Sequence, residues 1–255
     1  MSADVLLYAL IGFAAQLVDG ALGMGYGIVA ASSLLAAGVP PALASATVHV
    51  TKVPTGIASG FWHWRLGNVD FALCRRLLLP GLVGGAIGAS AVSLAPGDIV
   101  RPIAAGYLSL MGVVVVVRML RPPAAAARHT RAGLAGFAGG LFDSIGGGWG
   151  PITTSTLLAG GHAPRETVGS VSAAEPVVAA LQAAVFGAWL GIDALGSAGT
   201  AALGLVAGAL VAAPFAAQFV RRAPRRVTGI AIGAALLVLN LPVLFVAMGG
   251  ARLFG

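Results

Sequence analysis

The sequence predicts an all-α polytopic membrane protein made of two homologous repeats, and three observations carry that prediction. The first is composition: 58% of the 255 residues are hydrophobic and 9% are charged, with a mean hydropathy of +0.95. A soluble domain carries roughly 25% charged residues because its surface must face water. This chain has too little polar surface for that. The second is span length, since the apolar stretches reach the ~20 residues that cross about 30 Å of hydrocarbon as a helix. The third is internal repetition, which also orders the chain.

Gly12-Phe13-Ala14, Leu17 and Asp19 return 124 positions later as Gly136-Phe137-Ala138, Leu141 and Asp143. Gly23-Met24-Gly25-Tyr26-Gly27 is answered by Gly146-Gly147-Gly148-Trp149-Gly150 after a one-residue gap. Ser32, Leu34-Leu35-Ala36, Pro41 and Gly81-Leu82-Val83 match Ser155, Leu157-Leu158-Ala159, Pro164 and Gly204-Leu205-Val206 at an offset of 123. Single matches between apolar segments are weak, but an ordered series along the whole chain is the signature of duplication. The repeats are expected at residues 1–120 and 132–255, joined by a Pro/Ala/Arg linker at 121–131.

Each repeat opens with a long apolar stretch, 5–37 or 132–160, interrupted by Asp and Gly. An unbroken helix over the first would be ~50 Å long, too long for a bilayer without extreme tilt. Two half-helices separated by an irregular turn are therefore expected, the turn being buried in protein or lining a wet cavity; one tilted helix is the alternative. Ordinary spans follow near 42–62, 77–95 and 100–118, then near 166–190, 197–219 and 227–248. The 38 glycines suit helices that pack closely within a membrane.

The net charge of +7 reflects one lysine and 14 arginines. In a membrane chain such residues record topology, and no basic arm or aromatic-interleaved patch points to a nucleic-acid partner. If each broken stretch returns to its own side, twelve arginines share one face and only Arg101 and Arg252 the other. If every stretch crosses once, the division is eight against six. The positive-inside rule favours the first arrangement, which inverts the repeats and makes the linker and most arginine-rich loops cytoplasmic. A plasma-membrane location is expected. The start of the chain lacks a basic n-region, so the first apolar stretch is expected to remain in the mature protein. Cys74, the one cysteine, excludes an intramolecular disulfide, a CxxC pair and a cysteine-based zinc site.

Ionisable groups inside apolar spans are costly and face a partner or a cavity. Asp19 and Asp143 occupy equivalent breaks, where each is expected to cap the following half-helix or to take part in proton coupling. Lys52 and Glu175 are equivalent across the repeats. Lys52 could attract an anion and Glu175 carry a coupled proton near a pseudo-two-fold axis; a structural ion pair is the alternative. His49 shares a helical face with Lys52 and is either a substrate donor or a satisfied core histidine. His63, between Trp62 and Trp64, is expected at the interface. Backbone N–H groups at Gly25, Gly27, Gly148 and Gly150 suit an anion at a positive helix end. Ser32, Ser33, Thr153, Thr154 and Ser155 either coordinate an oxyanion or bond back to helix carbonyls.

Asp19-Gly20-Ala21-Leu22-Gly23-Met24-Gly25-Tyr26-Gly27, His63-Trp64-Arg65-Leu66-Gly67-Asn68-Val69-Asp70 and Asp143-Ser144-Ile145-Gly146-Gly147-Gly148-Trp149-Gly150-Pro151 together resemble the sulfite exporter TauE/SafE family of membrane transporters. The resemblance spans essentially the whole chain and implies movement of sulfite, organosulfonates or related sulfur-containing anions. Related sequences would often carry an acidic residue at the Lys52 position, so this lysine departs from the symmetric pattern and favours an anionic substrate. The expected function is secondary transport of a small anion by alternating access, with proton coupling through Glu175 open. No catalytic residue, metal site or cofactor is expected, because no HExxH motif, nucleophile–base pair or nucleotide-binding motif is visible. An intramembrane enzyme and an anion channel are the rival classes. Oligomeric state is not legible.

Overall fold

The computed structural model describes residues 3–22, 25–120, 132–222 and 225–249. The linker expected at 121–131, Gly23, Met24, residues 223–224 and Arg252 lie outside these residues. All the regular structure described is helical, so the expected all-α class is borne out. The first broken stretch becomes α1 (Ala3–Leu22) and α2 (Tyr26–Ala36), followed by α3 (Pro41–Arg65), α4 (Phe71–Leu94) and α5 (Gly97–Leu120). The second becomes α6 (Ala132–Asp143), then a π turn (Gly150–Thr154) running into α7 (Ser155–Ala159). After it come α8 (Pro164–Leu190), a short α9 (Ile192–Ser197), α10 (Gly199–Arg222) and α11 (Arg225–Ala247). The expected spans are all helices. The sequence reading missed α9, which lies between α8 and α10, whereas α3 and α4 are joined by the Leu66–Asp70 turn.

Local chemistry sets several boundaries. Pro41 and Pro164 stand at the first position of α3 and α8, where a missing N–H costs nothing. Asp70 caps α4 by accepting from the N–H groups of Ala72 at 2.8 Å and Leu73 at 3.1 Å. Asp70→Ala is expected to cost about 1 kcal/mol of stability, read as a small fall in the detergent melting temperature with transport retained. Arg165 ties the same turn to α8, bonding Asn68 Oδ1 and, at 2.6 Å, the Leu66 carbonyl.

By length and composition, Phe71–Leu94, Gly97–Val117 and Arg165–Leu190 are long and apolar enough to cross a membrane. α3 has comparable length, 25 residues, but carries His49, Lys52, His63 and Arg65. Leu79, Leu203 and Val238 are each 72% exposed. Lipid accepts such a surface, whereas water would drive association.

The helices pair across the two halves of the chain. α1 packs on α10, while α6, which matches α1 in sequence, packs on α4, which matches α10 in sequence. α3 packs on α8, the helix at the equivalent place in the sequence matches, and α5 packs on α11 in the same way. Both self-paired sets run antiparallel. Gly60 faces Ala173 and Gly56 faces Pro176, while the His49 ring lies 5.6 Å from that of Phe186. In the other set, Gly112 faces Gly233 and Gly106 faces Leu244. Glycines let backbones touch where no hydrophobic force between helices exists. α2 is held in a core built from Ile28, Leu34, Leu108, Leu205 and Leu236, each at most 1% exposed.

Candidate functional site

The two helix breaks meet at the centre of the bundle. A Cβ on Gly27 would lie 2.5 Å from Gly147 Cα, and one on Gly147 would lie 2.3 Å from Gly27 Cα. Gly146 and Gly147 have φ of +144° and +93°, a region open to glycine and strained for other residues. The aspartates bridge their breaks in corresponding ways. Asp19 Oδ1 accepts from Tyr26 N at 3.3 Å, and Asp143 Oδ1 accepts from Trp149 N at 2.8 Å. Trp149 then fixes the second break to α8, its indole N–H donating to the Val171 carbonyl at 3.1 Å.

Asp143 is also the hub of a buried charge cluster. Lys52 Nζ donates to its Oδ1 at 2.9 Å and its Oδ2 at 3.2 Å, and to Glu175 Oε1 at 2.7 Å. The Lys52 and Asp143 side chains are 3% and 1% exposed, whereas that of Glu175 is 23% exposed. His49 Nε2 lies 3.1 Å from Asp143 Oδ2, and its Nδ1 lies 2.7 Å from the Ser45 carbonyl. A carbonyl only accepts, so Nδ1 carries hydrogen, and the bond from Nε2 to a carboxylate then needs a proton between them. With that proton shared between His49 and Asp143, the cluster of His49, Lys52, Asp143 and Glu175 carries no net charge, which is how buried charge is tolerated.

A polar frame surrounds this cluster. Ser45 Oγ donates to the Ser144 carbonyl at 2.6 Å, and Gln182 Nε2 donates to Ser144 Oγ at 2.8 Å and to the Gly140 carbonyl at 3.0 Å. Sequence reasoning singled out neither Ser45, Ser144 and Gln182 nor the ion pairing of Asp143. A polar Gln182 within an apolar span was the one available signal. The reach of Asp143 across 91 positions to Lys52 had none.

Beside the cluster is a small pocket. Asp19, Gly25 and Gly27 line it from the first break, Gly147 and Gly150 from the second, and Ser172 and Glu175 from α8. Gly148 stands elsewhere, beneath the Tyr107 hydroxyl. The hydroxyl residues disperse. Ser33 donates to its own helix at Val29 O, 2.9 Å away, and Ser32 accepts from Asn240 Nδ2 at 2.8 Å. Thr153 lies against Gly139, its hydroxyl 3.4 Å from the Ala135 carbonyl. Thr154 is buried with no partner for its hydroxyl among the described residues, and Ser155 is half-buried. Both nitrogens of His49 are occupied within the protein. His63 is half-buried in the last turn of α3, between exposed Trp62 and Trp64.

A helical membrane bundle whose interrupted helices meet at a pocket backed by buried charges is built as a membrane transporter, since broken helices at such a site are what transporters use to contact cargo. The chain belongs to the sulfite exporter TauE/SafE family, whose model matches residues 8–243. It is 37% identical over 245 residues to the probable membrane transporter protein YtnM of Bacillus subtilis (strain 168), an alignment covering 92% of this chain and 81% of that one. No solved structure matches it. The resemblance read from the glycine-rich breaks is therefore borne out, and the protein is a membrane transporter rather than an enzyme.

Proposed function

We propose that this transporter is a secondary carrier of a small anion, with sulfite, an organosulfonate or a related sulfur-containing anion as substrate. Transport is by alternating access of two inverted repeats, 1–120 and 132–255, with 121–131 as the linker. The carrying observation is the contact of Lys52 with Glu175 at 2.7 Å, beside the pocket where both breaks meet. These residues are equivalent in sequence and sit on helices that run antiparallel, as an axis lying in the membrane plane requires. The exchange of partners between α1, α4, α6 and α10 supports the same symmetry. The pocket's glycines supply backbone N–H groups to an oxyanion, Lys52 supplies charge, and Glu175 carries a coupled proton. The family's name supports a sulfur oxyanion as cargo.

Flux into proteoliposomes tests this reading, with sulfite, sulfate, thiosulfate and sulfoacetate offered against an imposed pH gradient. Saturable flux that responds to the gradient, with the response lost in Glu175→Gln, is the expected result. Flux linear in concentration would indicate a channel, and no flux of any of these anions would remove the substrate class. The linker and most arginine-rich loops are assigned to the cytoplasm. In a Cys74→Ser background, Arg128→Cys should therefore react with an impermeant maleimide only after cells are opened. Labelling of intact cells would reverse the topology.

A further inference from the structure

We propose that the substrate anion binds by taking the place of Glu175 on Lys52, and that Glu175 accepts one proton as the exchange occurs. This rests on the anion reading above and adds the coupling step. The pocket poses an electrostatic problem. Among the described residues, the charged groups lining it are Asp19 and Glu175, both carboxylates. An anion entering between two ionised carboxylates is repelled, and the repulsion is strong where water is scarce. The cation that would hold it, Lys52, does not line the pocket; Glu175 stands between.

The two carboxylates on Lys52 differ in what they would lose. Asp143 keeps two contacts to Lys52, one to His49 and one to Trp149 N, and is almost fully buried. Among the described residues Glu175 has the single ion pair to Lys52, and it faces the pocket. Protonation converts Glu175 from a charged acceptor into a neutral acid, and an anion then outcompetes it for the ammonium, because opposite unit charges attract strongly where water is scarce while a neutral acid offers only a dipole. The step is one proton transfer and one exchange of hydrogen bonds: a hydronium ion gives its proton to a Glu175 oxygen, breaking one O–H bond and forming another, and one Lys52 N–H turns from Glu175 to the anion. Other groups around this point are Asp19 on α1, Tyr26 on α2, His49 on α3 and Asp143 at the end of α6, with Tyr107 of α5 stacked on Phe142. The Asp143 bridge keeps Lys52 charged and fixed throughout, so the exchange leaves the ammonium in place. Proton and anion consequently bind to the same state of the carrier and leave on the same side, which makes the protein a symporter.

The test is binding to the purified protein in detergent, with thiosulfate and sulfoacetate as probes because both remain fully ionised near neutral pH. Titration calorimetry in two buffers of different ionisation enthalpy counts the protons exchanged. Wild type should take up one proton per anion, and its dissociation constant should rise with pH toward about tenfold per unit, the slope of one linked proton. Glu175→Gln, whose amide oxygen can still accept from Lys52, should bind with no proton uptake and a flat pH profile. Anion binding by wild type without proton exchange overturns the proposal and leaves the anion reading standing. Undiminished uptake in Glu175→Gln also overturns it, placing the proton on Asp19 or in the His49–Asp143 pair. Binding of neither probe removes the anion reading itself, and this step with it. If the variant does not fold, the wild-type profile still tests the proposal, since a dissociation constant independent of pH overturns it.

Discussion

Lys52→Met is expected to abolish transport and to destabilise the folded protein by about 3–5 kcal/mol, the cost of removing one partner from a buried ion pair. The reason lies less in the lost lysine than in what remains. Asp143 would keep its charge at 1% exposure while losing donors at 2.9 and 3.2 Å. Among the described residues, only Trp149 N at 2.8 Å and His49 at 3.1 Å would still meet it. Glu175 suffers less, since it can hydrate through the pocket it lines. A second variant separates stability from transport. In Lys52→Met/Asp143→Asn the stranded charge is gone, so melting temperature should recover most of its loss while flux stays absent. Recovery of flux in the double variant would reduce Lys52 to a counter-ion of Asp143. Normal flux in Lys52→Met alone would remove it from the substrate path.

How much of this was legible in the sequence depends on the kind of fact. The helices, both breaks and the equivalence of Lys52 with Glu175 follow from periodic matches and from the bilayer's length requirement, which act along the chain. Contacts across the bundle do not. Asp143 was readable as a helix cap, and it does accept from Trp149 N. Its second role depends on α6 ending where its carboxylate points at α3, a matter of packing between α4 and α6 that no local pattern encodes. The hydroxyl clusters show the converse. Ser33 bonds to a carbonyl of its own helix at 2.9 Å, while Ser32 is spent on Asn240 at 2.8 Å. Composition brought these residues together, but helical rotation points them to different neighbours. The short α9 was invisible because Ile192-Asp193-Ala194-Leu195-Gly196-Ser197 carries only one turn and a half of pattern.

The other large effect expected is at Gly147, where Ala should sharply lower the melting temperature and the yield of monodisperse protein. Two costs add there. A residue with a side chain at φ +93° is strained by about 1–3 kcal/mol. The new methyl would also sit 2.3 Å from Gly27 Cα, 2.4 Å from Gly27 C and 2.8 Å from Ile28 N. All three are backbone atoms, so no rotamer change relieves the overlap, and the breaks must separate. Gly38→Ala is the control. Its φ is +87°, yet a Cβ there meets nothing within 4 Å, so it carries the strain without the clash. Gly148→Ala provides a third case, its methyl directed at the Tyr107 hydroxyl, the end of a side chain that can rotate. Melting temperatures should therefore fall least for Gly38→Ala, further for Gly148→Ala, and furthest for Gly147→Ala. Equal values for Gly147→Ala and Gly38→Ala would mean that the breaks do not touch. The charge cluster would then lose its mechanical support, because the contact of Gly27 with Gly147 holds the pocket's two walls beside Lys52 and Glu175.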